Sequence, residues 1–337
     1  MIRYFLSLYG VLVASAALLV ANAAFAVDMP PATDSAVSMV TGSATGTYFR
    51  FGNDIKNTLD TIDISVESSK GSLDNVEKIS TDNAIGLGIV QADVLGFLKR
   101  SKNPQFQEIY DNVRLIMPLY PEEIHVIATK KIRRFSDLNG KRIIVGAKGS
   151  GSWLTSMNMF RLTGVTPKEL LRETPEKGMV AVLKGEADAM VFVAGKPVTL
   201  FKNLEDLAIS PAYQAMLDEV HFIAIEDDAL LTEYQPATLH NADYNYISKD
   251  IPTIAVASAL VARHYDAEAE AEQCTRINSI SQAIISQLDA LKKTGHPKWQ
   301  QVDPQTDIAI WQRSDCVEAL NPLDSLESGL LELLSKE

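Results

Sequence analysis

The chain is poor in the side chains that carry most enzyme chemistry. It has five histidines and two cysteines in 337 residues. His125, His221, His240, His264 and His296 are scattered, with no H-E-x-x-H pair, and Cys274 and Cys316 stand too far apart for a zinc knuckle. No G-x-S-x-G elbow exists, so the commonest serine-hydrolase signature is missing. Nucleotide motifs are equally absent. Gly146 and Gly151 keep P-loop spacing, but Ser152 and Trp153 occupy the places where lysine and Ser/Thr are required, and no G-x-G-x-x-G follows a strand. Positive charge is in deficit, with 31 Lys and Arg against 43 Asp and Glu for a net charge of −12. Without a dense basic run, such a surface repels nucleic acid. Beyond residue 26 no apolar run is long enough to cross a bilayer.

The first 26 residues are of another kind. Arg3, an apolar core and Ala24-Phe25-Ala26 have the layout of a secretory signal peptide cleaved after Ala26. An uncleaved N-terminal anchor is the alternative, since about 20 apolar residues suffice to span a membrane. Export implies an oxidising, periplasmic setting. There Cys274 and Cys316 read as one disulfide, with two buried free thiols the alternative. The remaining chain, apolar enough for real cores, has the length of two domains.

Two blocks share a rhythm of strand, Gly/Ser loop, helix, helix, strand. In the first, "AVSMV" precedes "TGSATG", and Phe51, Ile55 and Leu59 then recur on one helical face. Ile62, Ile64 and Val66 alternate as in a strand, and "AIGLGIVQAD" reads as a strand buried on both faces. In the second, a strand over 142–145 leads into "GAKGSGS", a helix ending at Gly164, a helix closed by Gly185, and the strand "ADAMVFVAG". Alternating elements imply α/β lobes with mostly parallel sheets. The extended stretch around Pro118 and Pro121, and another around Pro252, are candidate crossings between lobes. A long amphipathic helix is expected over 266–293. The expected division is residues 27–130 with 245–337 as one lobe and 131–244 as the other.

Open α/β sheets bind ligands beyond the carboxyl ends of their strands, and both Gly/Ser loops fall there. Gly146, Gly149 and Gly151 permit close backbone approach, Ser150 and Ser152 add hydroxyls, and the helix that follows offers its positive end to an anion. In the first block, Ser43, Thr47 and Tyr48 are candidates on the opening loop. Ser72 and Asn75 start the next helix, where capping is the commoner role for Ser72. Gln91 and Asp93 end a buried strand, placed either for ligand contact or for a turn and cap. Lys196 in "FVAGKPV" complements a second anionic group or is simply solvated. The pattern fits reversible capture of an acid better than catalysis. It predicts that Ser150→Ala with Ser152→Ala weakens binding tenfold or more, with the melting point unmoved.

"MVTGSATGTYFRFGNDI", "SSKGSLDNVEKI", "IGLGIVQAD", "RLIMPLYPEEIHVIATKKIRRFSDLNGKRIIVGAKGSGS" and "VFVAGKPV" occur in the order found in TAXI proteins, the extracytoplasmic solute-binding subunits of TRAP transporters, which the chain resembles from Val37 to Pro197. The resemblance implies a two-lobed type II periplasmic-binding-protein fold that closes on a small carboxylate-bearing solute, an organic acid or an amino acid. It implies no cofactor, a monomeric state, and an ion-gradient-driven membrane permease as partner. Carried over by position, the ligand contacts are Ser43, Thr47, Tyr48, Ser72, Asn75, Gln91, Ser150, Gly151 and Ser152. The chain departs from the family at Ala44-Thr45-Gly46, where adjacent glycines are usual, and at Lys196, where an apolar or aromatic residue is usual. Two other outputs suit the same architecture: a sensing module for a membrane kinase, and the binding subunit of an ATP-driven importer.

Overall fold

The computed structural model of the chain describes residues 36–59, 62–207, 210–308 and 310–317. The signal peptide expected over 1–26 lies outside them. In chain order the elements are β1 (Val37–Val40), α1 (Thr47–Thr58), β2 (Ile64–Glu67), α2 (Ser72–Thr81), β3 (Ile85–Gln91), α3 (Asp93–Arg100), α4 (Pro104–Asn112) and β4 (Val113–Thr129). Then follow β5 (Arg142–Ile144), α5 (Gly151–Thr163), β6 (Glu169–Leu171), α6 (Pro175–Leu183), β7 (Ala189–Ala194), α7 (Thr199–Leu207), α8 (Pro211–Leu217), β8 (Val220–Phe222) and β9 (Gln235–Leu239). The chain returns through β10 (Ile251–Arg263), α9 (Ala271–Ser286), α10 (Leu288–Thr294) and a 3-10 turn over Pro297–Gln301. Among the described residues no helix is long and apolar enough to cross a membrane.

The strands form one mixed sheet in the order β2-β1-β3-β10-β4-β7-β5-β6, with β8 beside β4 and β9 beside β10. The parallel pairs lie in its two wings, β1 with β2 and β3, and β5 with β6 and β7. Where β4 and β10 run through the middle the pairing is antiparallel. This is the α/β architecture with two crossings that the alternating pattern predicts. The crossings are made by two long strands rather than by loops. Pro118 and Pro121 sit inside β4, a strand of 17 residues, next to an irregularity in its pairing with β10. That placement suits residues without a backbone donor.

Alternation along the strands feeds helices on both faces. Met39 and Ile89 pack with Phe51 and Ile55 of α1, with Leu59 just past it, and with Ile277, Ile280 and Ile284 of α9. Val40 and Val90 pack on the other face, against Val76 and Ile79 of α2 and Leu95 of α3. In the second wing Ile124, Val126 and Ala128 join Met159 and Phe160 of α5, whereas Ile127 joins Met179 of α6 and Phe201 of α7. The cores change over within the crossing strands. On β4, residues up to Tyr120 belong to the first wing and residues from Ile124 to the second. On β10, Val256 belongs to the second and Ala259 to the first. The changeover therefore falls inside β4 and β10.

The single helix expected over 266–293 is two. Gln287, at φ −99° and ψ 8°, leaves the helical path between α9 and α10, and the turn returns Leu291 to the core that holds Ile284. Cys274 of α9 is bridged to Cys316, with Cα atoms 4.8 Å apart and a sequence separation of 42.

One buried histidine ties folding to pH. His125 of β4 is fully buried beside Phe201 and Phe222. Its Nδ1 lies 3.0 Å from the Glu123 carbonyl oxygen and its Nε2 2.8 Å from the Tyr244 hydroxyl, which itself accepts from the Val198 amide. That pattern suits the neutral ring, and burial pushes its pKa down to about 3. An unfolded histidine titrates near 6.5. Between those values the unfolded chain holds the extra proton, so the His125 contribution is full above pH 6.5 and is lost as pH falls towards 3. Urea unfolding across that window is expected to show a loss on the order of 4 kcal/mol. In His125→Gln that part of the slope is expected to vanish.

Candidate functional site

A cleft of about 360 Å³ lies between the wings at the carboxyl ends of the parallel strands. Helix beginnings form its walls: Gly46 and Thr47 of α1, Gly71 and Ser72 of α2, Ser150 to Ser152 of α5, and Thr174 and Pro175 of α6. The first amides of any helix lack partners within it. Neither α1 nor α2 has a side-chain cap. On α5 the Ser150 hydroxyl accepts from the Trp153 amide at 3.1 Å, which leaves the earlier amides, at Gly151 and Ser152, on the cleft wall. Converging helix starts give the lining a supply of backbone donors.

The Gly/Ser loop before α5 meets the start of α2 across the cleft. The Gly149 carbonyl oxygen accepts from the amides of Leu73 and Asp74, at 3.2 and 3.3 Å. Two glycines make this approach feasible. Gly71 has φ 113°, a region that side chains disfavour, and a Cβ there would lie 3.4 Å from the Gly151 amide nitrogen. A Cβ on Gly151 would run into the side chain of Gln91.

Of the residues singled out from the sequence, Ser43, Thr47, Tyr48, Ser72, Gln91, Ser150, Gly151 and Ser152 line the cleft. Several of their hydroxyls are already engaged. The Ser72 hydroxyl accepts from the Gln91 amide at 3.0 Å, and the Ser152 hydroxyl from the Val193 amide at 3.0 Å. They shape the wall as much as they face it.

Three of the candidates lie elsewhere. Asn75, on α2, is fully buried. Its Nδ2 donates to the carbonyls of Thr41 and Ile89, and its Oδ1 accepts from Ser69. With each polar group satisfied, it braces the first loop from behind. Lys196 also turns away, its Nζ donating to the Thr238 carbonyl oxygen and pairing with Asp243 at 2.8 Å. A nearby carboxylate captures it before any ligand can. Asp93 lies off the cleft too. Its Oδ2 accepts from Thr155 and Tyr234 at 2.8 and 3.0 Å, joining α3 to the second wing, and burial raises its pKa to about 6.

The residue that sequence reasoning missed is Glu122. It sits at the cleft floor on β4, 3% exposed, and its Oε2 accepts from the Tyr48 hydroxyl at 2.6 Å. Burial lifts its pKa to about 8, against the lowering effects of Tyr48 and Lys298. Its neighbour Glu123 points to the other face, where Lys298 Nζ lies 2.7 Å from Oε1. The signal was present: two adjacent acids inside a long apolar extended run. A carboxyl buried there needs a partner or a proton. Exposed Lys70, Glu173 and Glu176 complete the charged groups at the mouth.

No histidine lines the cleft, so its hydroxyls have no imidazole base beside them. Among the described residues no group of three or more His, Cys, Asp or Glu is arranged to hold a metal. The arrangement can bind an acceptor-rich anion by backbone amides, with Met190 to Ala194 of β7 supplying an apolar side.

The family model described as NMT1-like family matches residues 39–310. Among solved structures, the chain is similar to an ABC uptake transporter substrate binding protein from Streptococcus pneumoniae with bound histidine. That match has 15% identity, covers 81% of this chain and 95% of that one, and has a TM-score of 0.48. Another is the periplasmic binding protein BugD, at 12% identity over 80% and 85% of the two chains, with a TM-score of 0.47. A third, from a study of glutathione import by Streptococcus mutans through GshT and the cystine ABC importer TcyBC, has 12% identity over 82% and 100%, with a TM-score of 0.46.

Proposed function

Starting from a chain that belongs to the NMT1-like family, we propose an exported solute-binding protein that captures a small carboxylate-bearing solute between two lobes and passes it to a TRAP-type membrane permease. The observation that carries this reading is the cleft whose walls are the uncapped start of α1, the start of α2 and the glycine-flanked start of α5. Amides fixed by the fold hold a carboxylate without the charge and flexibility of lysine or arginine, and weak screening in the closed cleft strengthens each hydrogen bond. No bond of the solute is made or broken. β4 and β10 act as the hinge, and the Gly149 contact with α2 belongs to the closed form. A solute drives closure only by binding that form more tightly than the open one. The permease then recognises the closed surface. The resemblance to TAXI proteins supports the permease type.

Native mass spectrometry of freshly purified protein is expected to show a retained small acid. After stripping, calorimetry with short-chain carboxylates is expected to restore binding, and X-ray scattering to show a more compact particle. A stripped protein that binds no carboxylate would end the proposal. The structure also changes what serine removal should do. Ser150→Ala is expected to weaken solute binding tenfold or more, or about 1.4 kcal/mol per decade. It removes the α5 cap as well, so an additional loss of about 1 kcal/mol of folding stability is expected by thermal unfolding. From the sequence alone no change in melting point was expected.

A further inference from the structure

The geometry points to Glu122 as a specificity-determining residue that donates a hydrogen bond, from Oε1, to a carbonyl oxygen at the end of the solute remote from its carboxylate. This rests on the carboxylate reading of the cleft and adds the chemistry of the solute's other end. Glu122 lines the cleft floor, nearly fully buried. Its Oε2 is already taken by the Tyr48 hydroxyl at 2.6 Å, so Oε1 is the atom left for a ligand. Among the described residues it forms no ion pair; the buried ammonium nearby, Lys298, is held by Glu123.

A buried carboxyl without a cation keeps its proton, and a protonated carboxyl is a donor. The groups that face it agree on balance. Tyr48 from α1 and Lys298 from the 3-10 turn draw the proton off, while burial and the charges of Glu123 on β4 and Asp93 on α3 hold it on, to about pH 8. The amide walls of the cleft are donors as well. A cavity lined by donors at both ends selects a molecule with acceptors at both ends: a carboxylate at the loops and an oxo or amide carbonyl at the floor.

Calorimetry on the stripped, full-length exported protein tests this with two probe sets. One is short-chain oxo-monocarboxylates with the carbonyl at successive positions, and the other the amino-monocarboxylates of the same lengths. The oxo series is expected to bind, with affinity constant below pH 8 and falling about tenfold per pH unit above it. Glu122→Gln keeps an N–H donor that does not titrate, so its affinity at neutral pH is expected within a few-fold of wild type and flat with pH. Tyr48→Phe removes the bond that favours ionisation, so the break should move to higher pH. Thermal unfolding of each variant shows whether it is folded. Tighter binding of the amino series, with affinity rising through pH 8, overturns the Glu122 assignment and leaves the carboxylate reading standing. A Gln variant with the wild-type pH profile also overturns it. Binding of neither series overturns the carboxylate reading and this assignment with it.

Discussion

Lys298→Met is expected to lower folding stability by about 3–5 kcal/mol, the cost of leaving one partner of a buried ion pair without the other. Lys298 is 1% exposed. Its ammonium lies 2.7 and 2.9 Å from the two Glu123 carboxylate oxygens, 2.9 Å from the Pro121 carbonyl oxygen and 2.9 Å from Gln301 Oε1. Glu123 also accepts from the Lys196 amide at 2.8 Å. One carboxylate on the crossing strand thus binds the C-terminal 3-10 turn and the strand-end loop of the second wing. Methionine keeps most of the packing but strands that carboxylate in a site with only the Lys196 amide to satisfy it. Replacing both members, Lys298→Met with Glu123→Leu, removes the stranded charge and is expected to recover part of the loss, since apolar substitutes for a whole buried pair are often close to neutral. Urea unfolding of the two single variants and the double gives the coupling. A Lys298→Met midpoint equal to wild type, or a double variant worse than the sum of the singles, would refute this account.

The second large effect concerns the same segment. Cys274→Ser with Cys316→Ser is expected to destabilise by about 4 kcal/mol, the loop-closure entropy for a bridge across a sequence separation of 42. Both cysteines are buried, and the loop holds the rest of α9, all of α10 and the 3-10 turn with Lys298 and Trp299. The bridge thus ties the two ends of one stretch to each other, and the ion pair holds its middle to β4. Unfolding midpoints of wild type with and without reductant, and of the double serine variant, check this. Reductant should bring wild type down to the variant and leave the variant unmoved. Three equal midpoints would mean that the bridge adds nothing to the fold.

Much of the architecture was legible because its signals are local. Phe51, Ile55 and Leu59 recur at helical spacing, and all three are buried in one core. Gly164, expected to stop a helix, sits at φ 70° just past α5. The Gly/Ser loops after β1 and β5 were legible for the same reason, since a strand-loop-helix order puts helix starts at one edge of a sheet. Eight of the ten proposed ligand contacts line the cleft, all but Asn75 and Lys196.

The rest depended on partners far away in the chain. Nothing near Lys196 in sequence announces Asp243, and nothing near Asn75 announces the carbonyls of Thr41 and Ile89. Glu122 and Glu123 are adjacent and identical in type. Only the pleat of β4 sends one to Tyr48 and the cleft floor and the other to Lys298. By itself, then, the sequence determined which segments are strands and helices, and that glycine-rich helix starts gather where the strands end, because periodicity and backbone freedom are properties of neighbouring residues. Tertiary structure alone decided which polar side chains remain available to a solute and which are consumed in holding the wings together. Charge, burial and hydrogen-bond supply at any one atom are set by whatever the fold brings within a few ångströms of it, from anywhere in the chain.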